Sequence, residues 1–251
     1  MNISLTSVTV LVALLTALLV GAWIRRLLPD HHLSPESKDT VRLAMGLVGT
    51  MAALVLGLLV SSAKSSYDTT RGEVLQMAAK VALIDRIFAA YGSEATQVRA
   101  QFRDVVEGAI QQMWPEGRDQ PANLGPNIQA GNALYSAIQA LSPKDEAQRS
   151  LKAQAASQVV ELAQLRTLLF AQSTPSISRP MLVVVISWLV VIFLSFSLLS
   201  PSNATANLAL VIAAVSVSGA IFLILELDRP FSGMVRISSD PMVNALREAG
   251  T

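Results

Sequence analysis

Residues 43–63 read LAMGLVGTMAALVLGLLVSSA, and residues 64–91 continue KSSYDTTRGEVLQMAAKVALIDRIFAAY. The first block, Leu43 to Ala63, carries no charge and is apolar on every side rather than along one stripe. A bilayer core of roughly 30 Å takes about 20 such residues at 1.5 Å rise each, so the block is predicted to span a membrane. Beyond Lys64 the pattern changes. Val74, Met77, Ala78, Val81, Ile84, Phe88 and Tyr91 recur at steps of three and four, the spacing of an amphipathic helix. Arg71, Glu73, Lys80 and Arg86 are expected on its remaining, solvated surface. Ser34-Pro35 reads as an N-cap followed by proline at the first helical position. One helix is therefore predicted to begin there, cross the membrane and emerge as a stalk ending near Gly92.

Three further blocks have the same character. Leu5 to Ile24 stops at Arg25-Arg26, Pro180 to Ser200 follows Arg179, and Thr205 to Leu225 ends at Glu226. The first block is an anchor rather than a cleaved leader, because Met1 to Ser7 lack a basic residue and Trp23-Ile24-Arg25-Arg26 is no small-residue cleavage site. Over the 251 residues the mean hydropathy is +0.48 and only 15% are charged, against about 25% in a soluble domain. The charge is missing from the four blocks and ordinary elsewhere. A net charge of +1 gives no basic footprint for nucleic acid, and a chain without cysteine has neither disulfides nor thiolate sites.

The fold class follows: an all-α integral membrane protein with four transmembrane helices and a helical soluble insert between the second and third. Residues 1–63 hold the first two spans, 64–179 the stalk and insert, 180–227 the last two spans, and 228–251 a C-terminal tail. Within the insert, a helix is predicted at Glu94 to Trp114 with Val98, Phe102, Val105, Val106, Ala109 and Met113 inward. Pro115 to Pro126 is a loop, and a short helix follows at Ile128 to Leu141. Ser142-Pro143-Lys144-Asp145 reads as the N-cap of a last helix, with Ala147, Leu151, Ala155, Val159, Leu162 and Leu169 on its apolar side.

Basic residues count more heavily on the face holding the termini and insert: Lys64, Arg71, Arg179, Arg229, Arg236 and Arg247. The positive-inside rule then puts that face in the cytoplasm, although Arg25-Arg26 on the first loop argues the other way.

Catalytic groups are sparse. His31 and His32 are adjacent in a loop with no acidic cluster to complete a metal site, so they read as solvated. No phosphate loop, serine elbow or zinc motif is present. The reading assigns no catalytic residue, no cofactor and no metal, and the protein is expected not to be an enzyme. Asn203-Ala204-Thr205 matches a glycosylation sequon, but it lies too close to the spans and reads as chance.

Three features remain. Gly46, Thr50, Ala53, Gly57 and Ser61 share one face of the second span, and small residues at such spacing ordinarily mark close helix packing. Alternatively that face, with Leu54 and Leu58 beside it, lines a conduit; Thr50, Leu54, Gly57, Leu58 and Ser61 are the pore-lining candidates, since a narrow apolar constriction gates by dewetting. The second feature is the polar exit of that span, with Tyr67, Asp68 and Arg71. The third is Glu226-Leu227-Asp228-Arg229-Pro230-Phe231-Ser232-Gly233, where proline ends the helix and Gly233 permits a sharp turn. Glu226, Asp228, Arg229, Pro230 and Gly233 form the second interfacial motif.

Ser65-Ser66-Tyr67-Asp68-Thr69-Thr70-Arg71-Gly72, the motif at 226–233, Trp188, Asn203 and Arg236-Ile237-Ser238-Ser239 together resemble the bacterial bestrophin-like family of membrane proteins, distant relatives of bestrophin channels. The resemblance covers nearly the whole chain. It implies a homo-oligomeric, pentameric ion channel lined by the second span, with the lipid bilayer, further copies of the chain and inorganic ions as partners. Two departures are visible: the second span contains no Phe, Tyr or Trp in place of the aromatic neck of animal bestrophins, and their calcium-clasping acidic run is reduced to Glu226 and Asp228. The alternative function is a non-conducting membrane scaffold or sensor whose helical insert binds a cytosolic partner.

Overall fold

The computed structural model describes residues 3–29, 35–115, 122–172, 177–200 and 203–248. The described residues are helical, without strands: α1 (Ile3–Leu27), α2 (Pro35–Tyr91), α3 (Thr96–Met113), α4 (Ile128–Ala140), α5 (Glu146–Gln172), α6 (Arg179–Leu199), α7 (Ala204–Leu227) and α8 (Asp240–Glu248). Helices α1, α2, α6 and α7 are long and apolar enough to cross a membrane. The chain divides into two compact units, Met1–Ser66 with Ser176–Arg229, and Tyr67–Pro175 with Pro230–Thr251. The 57 residues of α2 run through both. Its end at Tyr91 agrees with the predicted stalk. Ser34, His31 and His32 lie outside the described residues.

In the first unit α1 packs against both α6 and α7. Ser7, Val10, Leu14, Ala17, Leu18 and Gly21 are its buried positions, again at steps of three and four. Lipid offers no hydrogen-bond partner, so polar groups must be satisfied within the protein. The Ser197 hydroxyl donates to the Leu18 carbonyl at 2.6 Å and the Ser218 hydroxyl to the Ser7 carbonyl at 3.0 Å, tying α1 to each neighbour. Thr9 and Ser216 donate back to carbonyls of their own helices. Asn203 accepts from the Ala206 N–H at 2.8 Å, so the asparagine of the apparent sequon is the N-cap of α7.

The second unit is built on the stalk. All seven predicted stripe residues, Val74 to Tyr91, are buried. Phe88 meets Phe102 of α3 edge to face, with centroids 5.8 Å apart. Gly92, at φ +109° and ψ −169°, occupies backbone space open to glycine, and there the chain reverses into a short 3-10 turn, Ser93–Ala95, before α3. On α3 the predicted inward residues are buried except Val105, which is half-buried. Asn127 caps α4 by accepting from the Ala130 N–H.

Several expectations are corrected. Within the predicted stretch Ser142 to Asp145 the capping residue is the last, Asp145, whose carboxylate accepts from the Gln148 N–H at 2.7 Å, and α5 starts at Glu146. Ala147, in that first turn, is exposed rather than inward. Arg166 continues the α5 stripe of Ala155, Val159 and Leu162 and is buried, its guanidinium donating to Gln112 Oε1 and the Gly125 carbonyl. Burial holds its pKa below the usual arginine value.

Glu73 was expected on the solvated side of the stalk and is instead only 7% exposed. It bonds Gln172 of α5, and its Oε2 is buried with no partner among the described residues. Burial raises its pKa above the ordinary glutamate range, a shift that the Gln172 bond partly opposes. The stability tied to its neutral form is present below that ordinary range and is lost as pH rises through the raised value. Glu73→Gln is therefore expected to stabilise the protein by about 1 kcal/mol at pH 7, a Tm gain of roughly 2–4 °C. Melting curves of both proteins should converge near pH 4.

Candidate functional site

Two regions concentrate the residues singled out from the sequence. The first is the membrane segment of α2. Only Ala52, Leu59 and Ala63 are buried between Leu43 and Ala63. Spaced by seven and four residues, they define one edge of the helix. Thr50, Leu54, Gly57, Leu58 and Ser61 are all exposed, and at about 100° per residue they centre roughly opposite that edge. Leu43, Leu47, Leu54 and Leu58 each keep more than 60% of their surface uncovered. A Cβ added at Gly46, Gly49 or Gly57 would meet no atom within 4 Å.

The close packing expected of the Gly46–Ser61 stripe is thus not made at its glycines among the described residues. It occurs instead at Gly21 of α1, where an added Cβ would lie 2.6 Å from the Leu194 carbonyl oxygen and 2.8 Å from Ser197 Cβ. The Thr50 hydroxyl donates to the Gly46 carbonyl at 2.9 Å, which leaves its methyl group and oxygen lone pairs outward.

The second region lies in the Tyr67–Pro175 and Pro230–Thr251 unit. Tyr67, Arg71, Val74 and Leu75 of α2 and Arg236, Ile237, Ser238 and Pro241 of the tail enclose a cavity of about 330 Å³. No local pattern in either segment signals that they meet. What brings them together is a folded turn in the tail. Pro230 follows the end of α7, Gly233 takes φ +94°, and the Ile237 N–H closes on the Pro230 carbonyl at 2.7 Å. Trp114 secures the turn twice. Its indole N–H donates to the Ile237 carbonyl at 2.8 Å, and its ring meets Phe231 edge to face at 5.6 Å. Ile237 is in consequence buried, while Arg236 and Ser238 on either side are exposed.

The remaining candidates fall as follows. Asp68 is exposed on α2, Glu226 is buried at the end of α7, and Asp228 and Arg229 are half-buried at its C-cap. The Asp228 N–H donates to Ile224 and the Arg229 N–H to Glu226, so the helix is capped by its own carbonyls. Among the described residues no group of three or more metal-ligating side chains occurs.

Three crystal structures of point variants of a bacterial bestrophin homologue from Klebsiella pneumoniae are similar to this chain. Their TM-scores are 0.66, 0.67 and 0.69, at 13%, 14% and 14% sequence identity. The alignments cover 94%, 99% and 99% of this chain and 97% of that chain in each case. At such identity the likeness is one of fold. No curated protein matches significantly. The bestrophin-like domain matches residues 4–242, which takes in all four membrane-crossing helices, the helical insert and both interfacial motifs, and the chain therefore belongs to the bestrophin-like family.

Proposed function

We propose that the protein is a homo-oligomeric ion channel, a pentamer in the bacterial inner membrane, whose pore is lined by the α2 face carrying Thr50, Leu54, Gly57, Leu58 and Ser61. The observation that carries this reading is the uncovered state of that face, opposite the edge that α2 buries. Family membership supports it. Leucines alternating with glycine, threonine and serine suit a narrow apolar constriction that wets and dewets, with Thr50 and Ser61 oxygens available to a passing ion. Small residues at Gly46 and Gly49, beside the lining face, let neighbouring copies of α2 approach closely without steric cost. The insert and both termini are cytoplasmic in this reading, and the protein performs no catalysis.

Purified protein in planar bilayers tests it. Discrete unitary currents are expected from the wild type. Gly57→Trp, which puts an indole on the lining face where the subunit itself offers no obstruction, is expected to abolish them while leaving the oligomer intact on a sizing column. Silent wild-type bilayers, or currents unchanged by the tryptophan, would overturn the assignment and favour the scaffold reading.

A further inference from the structure

The cavity closed by the tail has a lining unlike a cation site. Its two charged lining residues are both arginines, Arg71 and Arg236, and no carboxylate contributes to it. Both arginines are exposed, and among the described residues neither makes an ion pair or a hydrogen bond. The Ser238 hydroxyl accepts from the Asp240 N–H at 3.1 Å, which leaves its proton free to donate. Tyr67 adds a phenol. The other wall is apolar and fixed, since Val74 belongs to the buried core and Ile237 is held by Trp114 and Pro230.

Two guanidiniums with hydroxyl donors fit a phosphate, which they can bind by paired charge-assisted hydrogen bonds. The apolar wall fits the carbon chain of its ester. Depth decides between sources of that ester. Tyr67 is four residues past Ala63, the last residue of the apolar block, which is about 6 Å along the helix, and Arg71 is about 12 Å along. The headgroup layer on each side of a bilayer is roughly 5–7 Å thick. By its place on the helix Tyr67 thus falls at headgroup level, and the Arg71 side chain is long enough to reach back toward that layer, as basic residues do at such interfaces. We infer that this cavity binds the phosphate headgroup of an anionic phospholipid, clamped between Arg71 and Arg236. This does not depend on whether the protein conducts ions.

Full-length protein in detergent tests the inference by native mass spectrometry during titration with phosphatidylglycerol, phosphatidylcholine or glycerol 3-phosphate. Wild type is expected to retain phosphatidylglycerol in preference to phosphatidylcholine. The double variant R71A/R236A is expected to bind phosphatidylglycerol roughly tenfold to thirtyfold more weakly, as loss of two interfacial arginines predicts. R71K/R236K, retaining charge, is expected to recover part of the affinity, and matched melting curves confirm that the variants fold. Equal retention of the two lipids, or a preference that survives in R71A/R236A, overturns the proposal. Saturable, arginine-dependent binding of glycerol 3-phosphate without lipid preference would show a phosphate site served from the aqueous phase and overturn the lipid assignment.

Discussion

Asp85→Ala is expected to destabilise the protein by about 3–5 kcal/mol, the cost of breaking a buried ion pair from one side. Asp85 is 1% exposed on the inward face of the stalk, and both its oxygens are engaged. Arg99 Nε lies 2.9 Å from Oδ1 and its Nη2 2.5 Å from Oδ2, while Arg103 Nε lies 2.9 Å from Oδ1. The two arginines keep about a third of their side-chain surface in solvent, so they can turn outward when the carboxylate is lost. That places the expected loss toward the lower end. Asp85→Asn preserves the shape and part of the hydrogen bonding and is expected to cost less. Unfolding followed by intrinsic fluorescence, with Trp114 reporting on this unit, measures both. A loss under 1 kcal/mol for the alanine variant would show that the pairs contribute no more than exposed ones.

The pH dependence follows from the same geometry. Burial alone would raise the Asp85 pKa, but the hydrogen bonds and charges of Arg99 and Arg103 outweigh it, and the carboxyl is held below the usual aspartate range. A carboxyl whose folded pKa is depressed contributes stability at pH values above its unfolded pKa of about 3.9 and loses it as pH falls through the folded value. Wild type should therefore weaken below about pH 4 more steeply than Asp85→Asn, which lacks that titration.

Asp85 also shows where sequence reading stops. The stalk stripe was legible because Val74 through Tyr91 repeat at helical spacing, and the four spans because each is long and uncharged. Asp85 stands between Ile84 and Phe88 on that stripe and goes unnoticed among them, while Glu73 beside Val74 reads as a solvated charge. A signal for Asp85 existed in Arg99 and Arg103, one helical turn apart on α3 and in register with Val98 and Phe102. Arg166 had a comparable one, four residues after Leu162. The interfacial motifs could be recognised, but not that Arg71 and Arg236 share a cavity, because the turn that folds the tail depends on Trp114, remote from both in sequence. Nor could the uncovered face of α2 be chosen by periodicity, since a segment apolar on all sides carries no direction.

Gly21→Leu reverses the ordinary expectation for a membrane helix, where leucine is the better residue for lipid. Here α1 and α6 approach so closely that a Cβ would stand 2.6 Å from the Leu194 carbonyl oxygen, 2.8 Å from Ser197 Cβ and 3.2 Å from the Leu198 nitrogen. Two of those three atoms are backbone, held in a helical ladder, so no rotamer change relieves the clash. The helices must separate, and the Ser197 hydroxyl then loses the Leu18 carbonyl in a medium with no water to replace it. Gly21→Ala already imposes the Cβ and is expected to cost about 1–3 kcal/mol; Gly21→Leu, with more volume to place, should yield little folded protein. Gly219→Ala on α7 is the control, because a Cβ there meets nothing within 4 Å and alanine gains up to about 1 kcal/mol in helix propensity. Thermal melts of the detergent-solubilised proteins should order them as Gly219→Ala at or above wild type, then Gly21→Ala, then Gly21→Leu. If Gly21→Ala melted with the wild type, the close approach of α1 and α6 would have to be abandoned, and with it the account of why a buried glycine sits on that helix.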